Sequence, residues 1–197
     1  MKSTIYDLPR FVSDLEALHD RCPAMPVKVE EASRLCAKLL TDTSWLAPEF
    51  RQPLPDRYAR YLLHRDRKNR FVVLSLVWLP GQGTPIHDHE CWGVMGMVLG
   101  QLEVVNYSRL DDGSRREHAE LKETSTVMVD HMETGYVLPP YEEIHSIRNV
   151  SQAPAISLHV YGRDLDELSV FDPVTHRVSR MRIKYYNVDP GAADYVI

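Results

Sequence analysis

The sequence is poor in cysteine. Its 197 residues include three, Cys22, Cys36 and Cys91, too few and too scattered for a disulfide framework. Cys22 and Cys36 read as small core residues or helix-end thiols rather than nucleophiles. An excess of positive charge is also missing: 23 Lys and Arg stand against 28 Asp and Glu, for a net charge of −5. Basic residues gather only at Arg57, Arg60, Arg65, Arg67, Lys68 and Arg70. Neither a nucleic acid nor an anionic membrane is therefore an expected partner. No apolar run approaches the about 18 residues of a membrane span. The N-terminal MKSTIYDLPRF has no signal-peptide stretch. The expectation is a reduced, cytoplasmic protein. No repeat or low-complexity tract interrupts it.

What is present is ordinary globular composition, 44% hydrophobic and 26% charged, in a length that suits one domain over 1–197. Residues 1–65 read as helical. Asp7 is placed to cap a segment in which Phe11, Leu15 and Leu18 recur at helical spacing. Pro26 opens a second segment, with Val29, Ala32, Leu35, Cys36, Leu39 and Leu40 on one face. From residue 70 the texture changes to short β-branched runs: RFVVLSLVWLP, WGVMGMVLGQLEVVNYS, HAELKETSTVMVD, HSIRNV, APAISLHVYG and HRVSRMRIKYYNV. Turn signals separate them at DDGS, SQAP and FDP. Regularly spaced short strands predict a sandwich or barrel over 70–197.

The stretch TPIHDHECWG carries His87 and His89 two residues apart. On a strand such residues share a face, about 6.6 Å apart along it. Two imidazoles so placed can converge on one ion, while Asp88 points away. The pair alone also fits two solvated or core histidines. A second cluster, PPYEEIHSIRN, holds His145. In SLHVY, Ser157, His159 and Tyr161 alternate with Leu158 and Val160, which puts three polar groups on one face. Buried there, they must bond to one another; an exposed face is the alternative.

These segments resemble the two motifs of the cupin superfamily. Gly81, His87, His89 and Gly100 fit the first, whose glutamate is missing, with Gly93 and Val94 at its place. Pro140, His145 and Asn149 fit the second, with Glu142 in place of a glycine. The resemblance implies a mainly β fold with N-terminal helices, the cupin double-stranded β-helix or jelly-roll barrel. Without the carboxylate, His87, His89 and His145 remain as ligands, unless Glu142 or Glu143 reaches in. Imidazole suits Fe, Zn, Cu and Ni alike.

The Ser157–His159–Tyr161 row, the arginine in YARYLL (58–63) and the glutamate-free first motif narrow the match. Together they resemble the thiol dioxygenases of the cysteine dioxygenase family, bacterial members above all. That resemblance implies an Fe(II) site on His87, His89 and His145, and a small thiol and O2 as the molecules it takes. It implies a hydrogen-bond relay of Ser157, His159 and Tyr161, with Tyr161 nearest the metal. It makes Arg60 the carboxylate anchor, which favours L-cysteine over 3-mercaptopropionate. Arg163 is a rival anchor, and a solvated Arg60 is the plainer alternative. Gly93 stands where mammalian-type members carry a cysteine linked to the tyrosine, so no such link is expected. Trp78, Trp92, Met95 and Met97 are candidates for apolar walls, some of them packing outward instead.

Overall fold

In a computed structural model that describes residues 5–21, 23–140 and 143–187, two amphipathic helices open the chain. Cys22 and Glu142 lie outside the described residues. In α1 (Leu8–Arg21), Leu8, Phe11, Leu15 and Leu18 form the buried stripe. Asp7 Oδ1 accepts the Arg10 N–H at 3.1 Å, so it caps the first turn. In α2 (Met25–Leu40) a proline in the first turn precedes a buried face of Val29, Ala32, Cys36, Leu39 and Leu40.

The helical part ends sooner than the expected residue 65. After a 3-10 turn at Pro48–Arg51 the chain becomes extended, and β1 (Ala59–Arg65) occupies the YARYLL stretch. Residues 59–64 are all buried. The ARYLLHR of β1 holds no Val, Ile or Thr, and Ala, Leu and Arg favour helices, which hides the strand. Ten strands follow: β2 (Val72–Trp78), β3 (Ile86–His87), β4 (Gly93–Leu99), β5 (Leu102–Arg109), β6 (Leu121–Val129), β7 (Thr134–Val137), β8 (Ile144–Arg148), β9 (Ala155–Tyr161), β10 (Glu167–Phe171) and β11 (Val178–Arg182).

The strands form two antiparallel sheets in the orders β1-β2-β9-β4-β7 and β11-β10-β3-β8-β5-β6. Neighbours far apart in sequence, such as β2 with β9 and β3 with β8, give the expected jelly-roll of a mostly β protein with N-terminal helices. The interior is filled by residues of both sheets, among them Leu62, Leu74, Trp78, Met97, Leu102 and Ile147. The outer face of the five-stranded sheet carries Val73, Val94, Leu158 and Val160, packed on Phe11, Leu15, Cys36 and Leu39 of the helices. Alternation along β9 therefore turns Ser157, His159 and Tyr161 inward, as the sequence predicts. Cys36 is a core residue whose thiol burial pushes up to about 12. No helix among the described residues is long and apolar enough to cross a membrane.

Candidate metal centre

The sheet order sets β3 beside β8, so that His87 lies directly opposite His145. His89 follows two residues later, beyond the end of β3. Each of the three offers one ring nitrogen within 4.8 Å of the others, and all three are buried. His87 Nδ1 lies 3.0 Å from the Pro85 carbonyl, and His145 Nδ1 lies 2.9 Å from that of Glu143. Those carbonyls accept the Nδ1–H, which leaves each Nε2 a bare lone pair facing inward.

The residues fit a metal ion. His87 Nε2 and His89 Nε2 stand 3.2 Å apart. Two nitrogens about 2.0–2.1 Å from one divalent ion, at a right angle, would lie about 3 Å apart. Burial holds His87 down to about 3, His145 to about 4 and His89 well below its usual value. All three are therefore neutral at neutral pH, the form that binds metal. Among the described residues no carboxylate joins the group; the side chain of Glu143 lies near Asp88 and Glu90 instead.

These buried neutral histidines make stability depend on pH. Their folded-state values lie below the ordinary 6.5. As pH falls the unfolded chain takes up protons that the folded chain refuses, so this stability is present above about 6.5 and lost below it. The metal-free protein should show a urea midpoint that drops steeply between about pH 7 and pH 5. A midpoint flat across that interval would contradict neutral burial.

Beside the histidines runs a chain of hydrogen bonds. Trp78 Nε1 donates to Ser157 Oγ at 2.9 Å. Ser157 Oγ lies 2.8 Å from His159 Nε2, and the Tyr161 hydroxyl 3.0 Å from His159 Nδ1. Indole N–H is a donor only, so the Ser157 oxygen accepts there. One hydroxyl hydrogen is left over, on Ser157 or on Tyr161. Ser157 is fully buried, and a stranded hydrogen there is costly. The favoured direction is Ser157 O–H to Nε2, then Nδ1–H to the tyrosine oxygen. Burial keeps His159 neutral, at about 3, as this requires. The Tyr161 O–H is then free to donate a hydrogen bond elsewhere. Its ring lies 4.5 Å, centroid to centroid, from that of His89. Trp78, one of the four candidate walls, does more than line the interior: a tryptophan in a sheet interior needs a partner for its N–H, and that is the signal that points to this contact. Trp92 packs with the helix-facing core, Met95 and Met97 with the interior.

Arg60 is 8% exposed, and its Nε and Nη2 are buried without a partner among the described residues. The guanidinium carbon lies 5.6 Å from the centre of the Tyr185 ring. With Tyr58, Pro85, Met181 and Tyr185 it lines a cavity of about 640 Å³. At His87, His89 and His159, where burial is the larger cause, its charge adds to the downward shift. Arg163 is differently placed: its Nη2 donates to the His89 carbonyl and to Glu90, each at 3.2 Å.

The chain as a whole matches a known family. A model of the family described as cysteine dioxygenase type I matches residues 1–174. The chain belongs to that family. Cysteine dioxygenase type 1 of Homo sapiens is 26% identical over 194 residues, 95% of this chain and 92% of its own. That of Danio rerio is 24% identical over 193 residues, 95% of this chain and 92% of its own. Among solved structures, a Klebsiella pneumoniae protein with a double-stranded β-helix domain aligns with a TM-score of 0.46 at 15% identity, over 63% of this chain and 92% of that one. An oxalate oxidase bound to glycolate aligns with a TM-score of 0.43 at 19% identity, over 62% of this chain and 54% of that one. Neither likeness bears on function. In this family member a Cβ at Gly93 would stand 3.0 Å from the Tyr161 ring. Cys91 lies two residues earlier, free and half-buried. Peptide mapping should find Cys91 and Tyr161 unlinked; a joined pair lighter by two hydrogens would overturn this.

Proposed function

We propose that this protein is an Fe(II)-dependent thiol dioxygenase that oxidises the thiol of L-cysteine to cysteine sulfinic acid. The observation that carries the reading is the Arg60 guanidinium, buried with two donors unpartnered and close enough to the histidines for its charge to act on them. A buried cation with idle donors is costly unless an anion meets it. A planar fork suits a carboxylate. Arg163, already paired with Glu90, has less to offer, which favours Arg60 as the anchor.

Bound by His87, His89 and His145, Fe(II) would supply the charge that lowers a thiol's pKa and the redox chemistry that O2 needs. The protein supplies position. Arg60 holds the carboxylate and so fixes where the sulfur sits. The Ser157–His159 pair orients the Tyr161 hydroxyl, which keeps its own proton because burial raises its pKa. That hydroxyl then donates a hydrogen bond to the substrate or to oxygen as charge develops. The thiol and O2 combine with no other reactant, both oxygen atoms ending on sulfur.

The test is metal analysis of protein purified without oxygen, followed by O2 uptake with a panel of thiols. Iron near one per chain and fastest uptake with cysteine is the expected result. A preference for 3-mercaptopropionate would move the assignment to another small thiol acid. Bound metal without thiol-dependent uptake would leave a non-catalytic binding protein.

A further inference from the structure

Two glycines shape a second cavity, lined by other residues than the arginine's. Gly93 on β4 pairs with Val137 on β7, and Met95 with Gly135. Met95 packs into the interior between the sheets, so Gly135, directly opposite it, holds an inward-facing position. A Cβ at Gly135 would meet nothing within 4 Å. The space beside these strands is a cavity of about 540 Å³. His89, His145, His159 and Tyr161 border it. So do Val127, Met128 and Met132, at 47%, 38% and 46% exposure. No Lys or Arg is among the described residues that line it, and its one carboxylate, Glu133, is exposed and already accepts the Asp130 N–H at 2.9 Å.

These features select a ligand. The volume falls in the range of small-molecule sites, about 300–1,000 Å³, far above what O2 needs. Valine and methionine walls lose water readily to an apolar group. Methionine sulfur adds favourable contacts with an aromatic ring. Without a cation, the cavity has no seat for a carboxylate. We infer that it is a second substrate site, for uncharged thiols that carry an aromatic or branched aliphatic group, with the sulfur at the histidine end. This rests on the thiol-dioxygenase reading. The reaction is R–SH + O2 → R–SO2H. Sulfur gives four electrons to O2, two S–O bonds form, the O–O bond breaks, and the thiol hydrogen ends on the sulfinic acid.

The probes are 2-phenylethanethiol as substrate and 2-phenylethanol as its unreactive analogue. Calorimetry on metal-free protein should detect 2-phenylethanol binding, weakened at least tenfold by Gly135→Phe, whose side chain would fill the empty space. Val127→Trp, at an exposed site, should weaken it too and guards against a misfolded first variant. On the iron-loaded enzyme both variants should lose turnover of 2-phenylethanethiol at least tenfold and keep that of cysteine. No binding to wild type, or equal binding in both variants, would overturn the site. Turnover of cysteine but not of 2-phenylethanethiol would overturn its role as a substrate site and leave the main reading standing. Failure of iron-loaded wild type to oxidise either thiol would overturn both.

Discussion

Alanine at His87, His89 or His145 is expected to strip the metal and abolish activity while leaving the fold in place. Each residue offers one of three ring nitrogens within 4.8 Å of one another, so each variant keeps only two. Loss of a partner behind a metal ligand already costs about 10–100-fold in metal affinity. Loss of the ligand itself should exceed that. The fold should survive, because the helix-facing core, with Phe11, Leu15, Cys36 and Leu158 at its centre, lies on the other side of the five-stranded sheet. The measurements are metal content after gel filtration and far-ultraviolet circular dichroism. Wild-type metal content in two of the three variants would sink the assignment.

Arg60→Gln is expected to lower kcat/KM for cysteine by about 10- to 150-fold. A hydrogen bond to a charged group is worth about 1.5–3 kcal/mol, and each 1.4 kcal/mol is about tenfold in rate. The fall should appear in kcat as well as in KM, because the same contact positions the sulfur. The variant should also narrow the preference for cysteine over 3-mercaptopropionate. Steady-state kinetics with both thiols at saturating O2 checks this. Unchanged cysteine turnover would return Arg163 to consideration, although its contacts with His89 and Glu90 argue against it.

The alternation of a strand made the inward row of β9 legible in advance. It also gave the pairing of His87 with His89, but for an incomplete reason. β3 is only two residues long, Ile86–His87, so His89 reaches its place from a loop. That loop includes Glu90 in a left-handed conformation at φ 50, pinned by Arg180 at 2.5 Å, Arg163 at 3.2 Å and Ser169 at 3.2 Å. Such tethers join residues 73 to 90 positions apart and leave no local pattern. β7, with four residues including Gly135, was too short to show a period. β1 was hidden by its lack of β-branched residues, and with it the setting of Arg60. The direction of the relay depended on the Trp78 N–H, which only the cross-strand contact with Ser157 reveals.

Residues 186 and 187 have a consequence apart from chemistry. β1 is the edge of its sheet, and an open edge offers idle backbone groups to any other extended chain. Here the Tyr186 N–H bonds to the Arg60 carbonyl at 2.7 Å. The Asn187 side-chain amide takes both the N–H and the carbonyl of Leu62, at 2.9 and 3.0 Å. One carboxamide thus makes the two bonds that the peptide group of a neighbouring strand would make. These three bonds occupy edge groups of Arg60 and Leu62 that would otherwise be open to another extended chain.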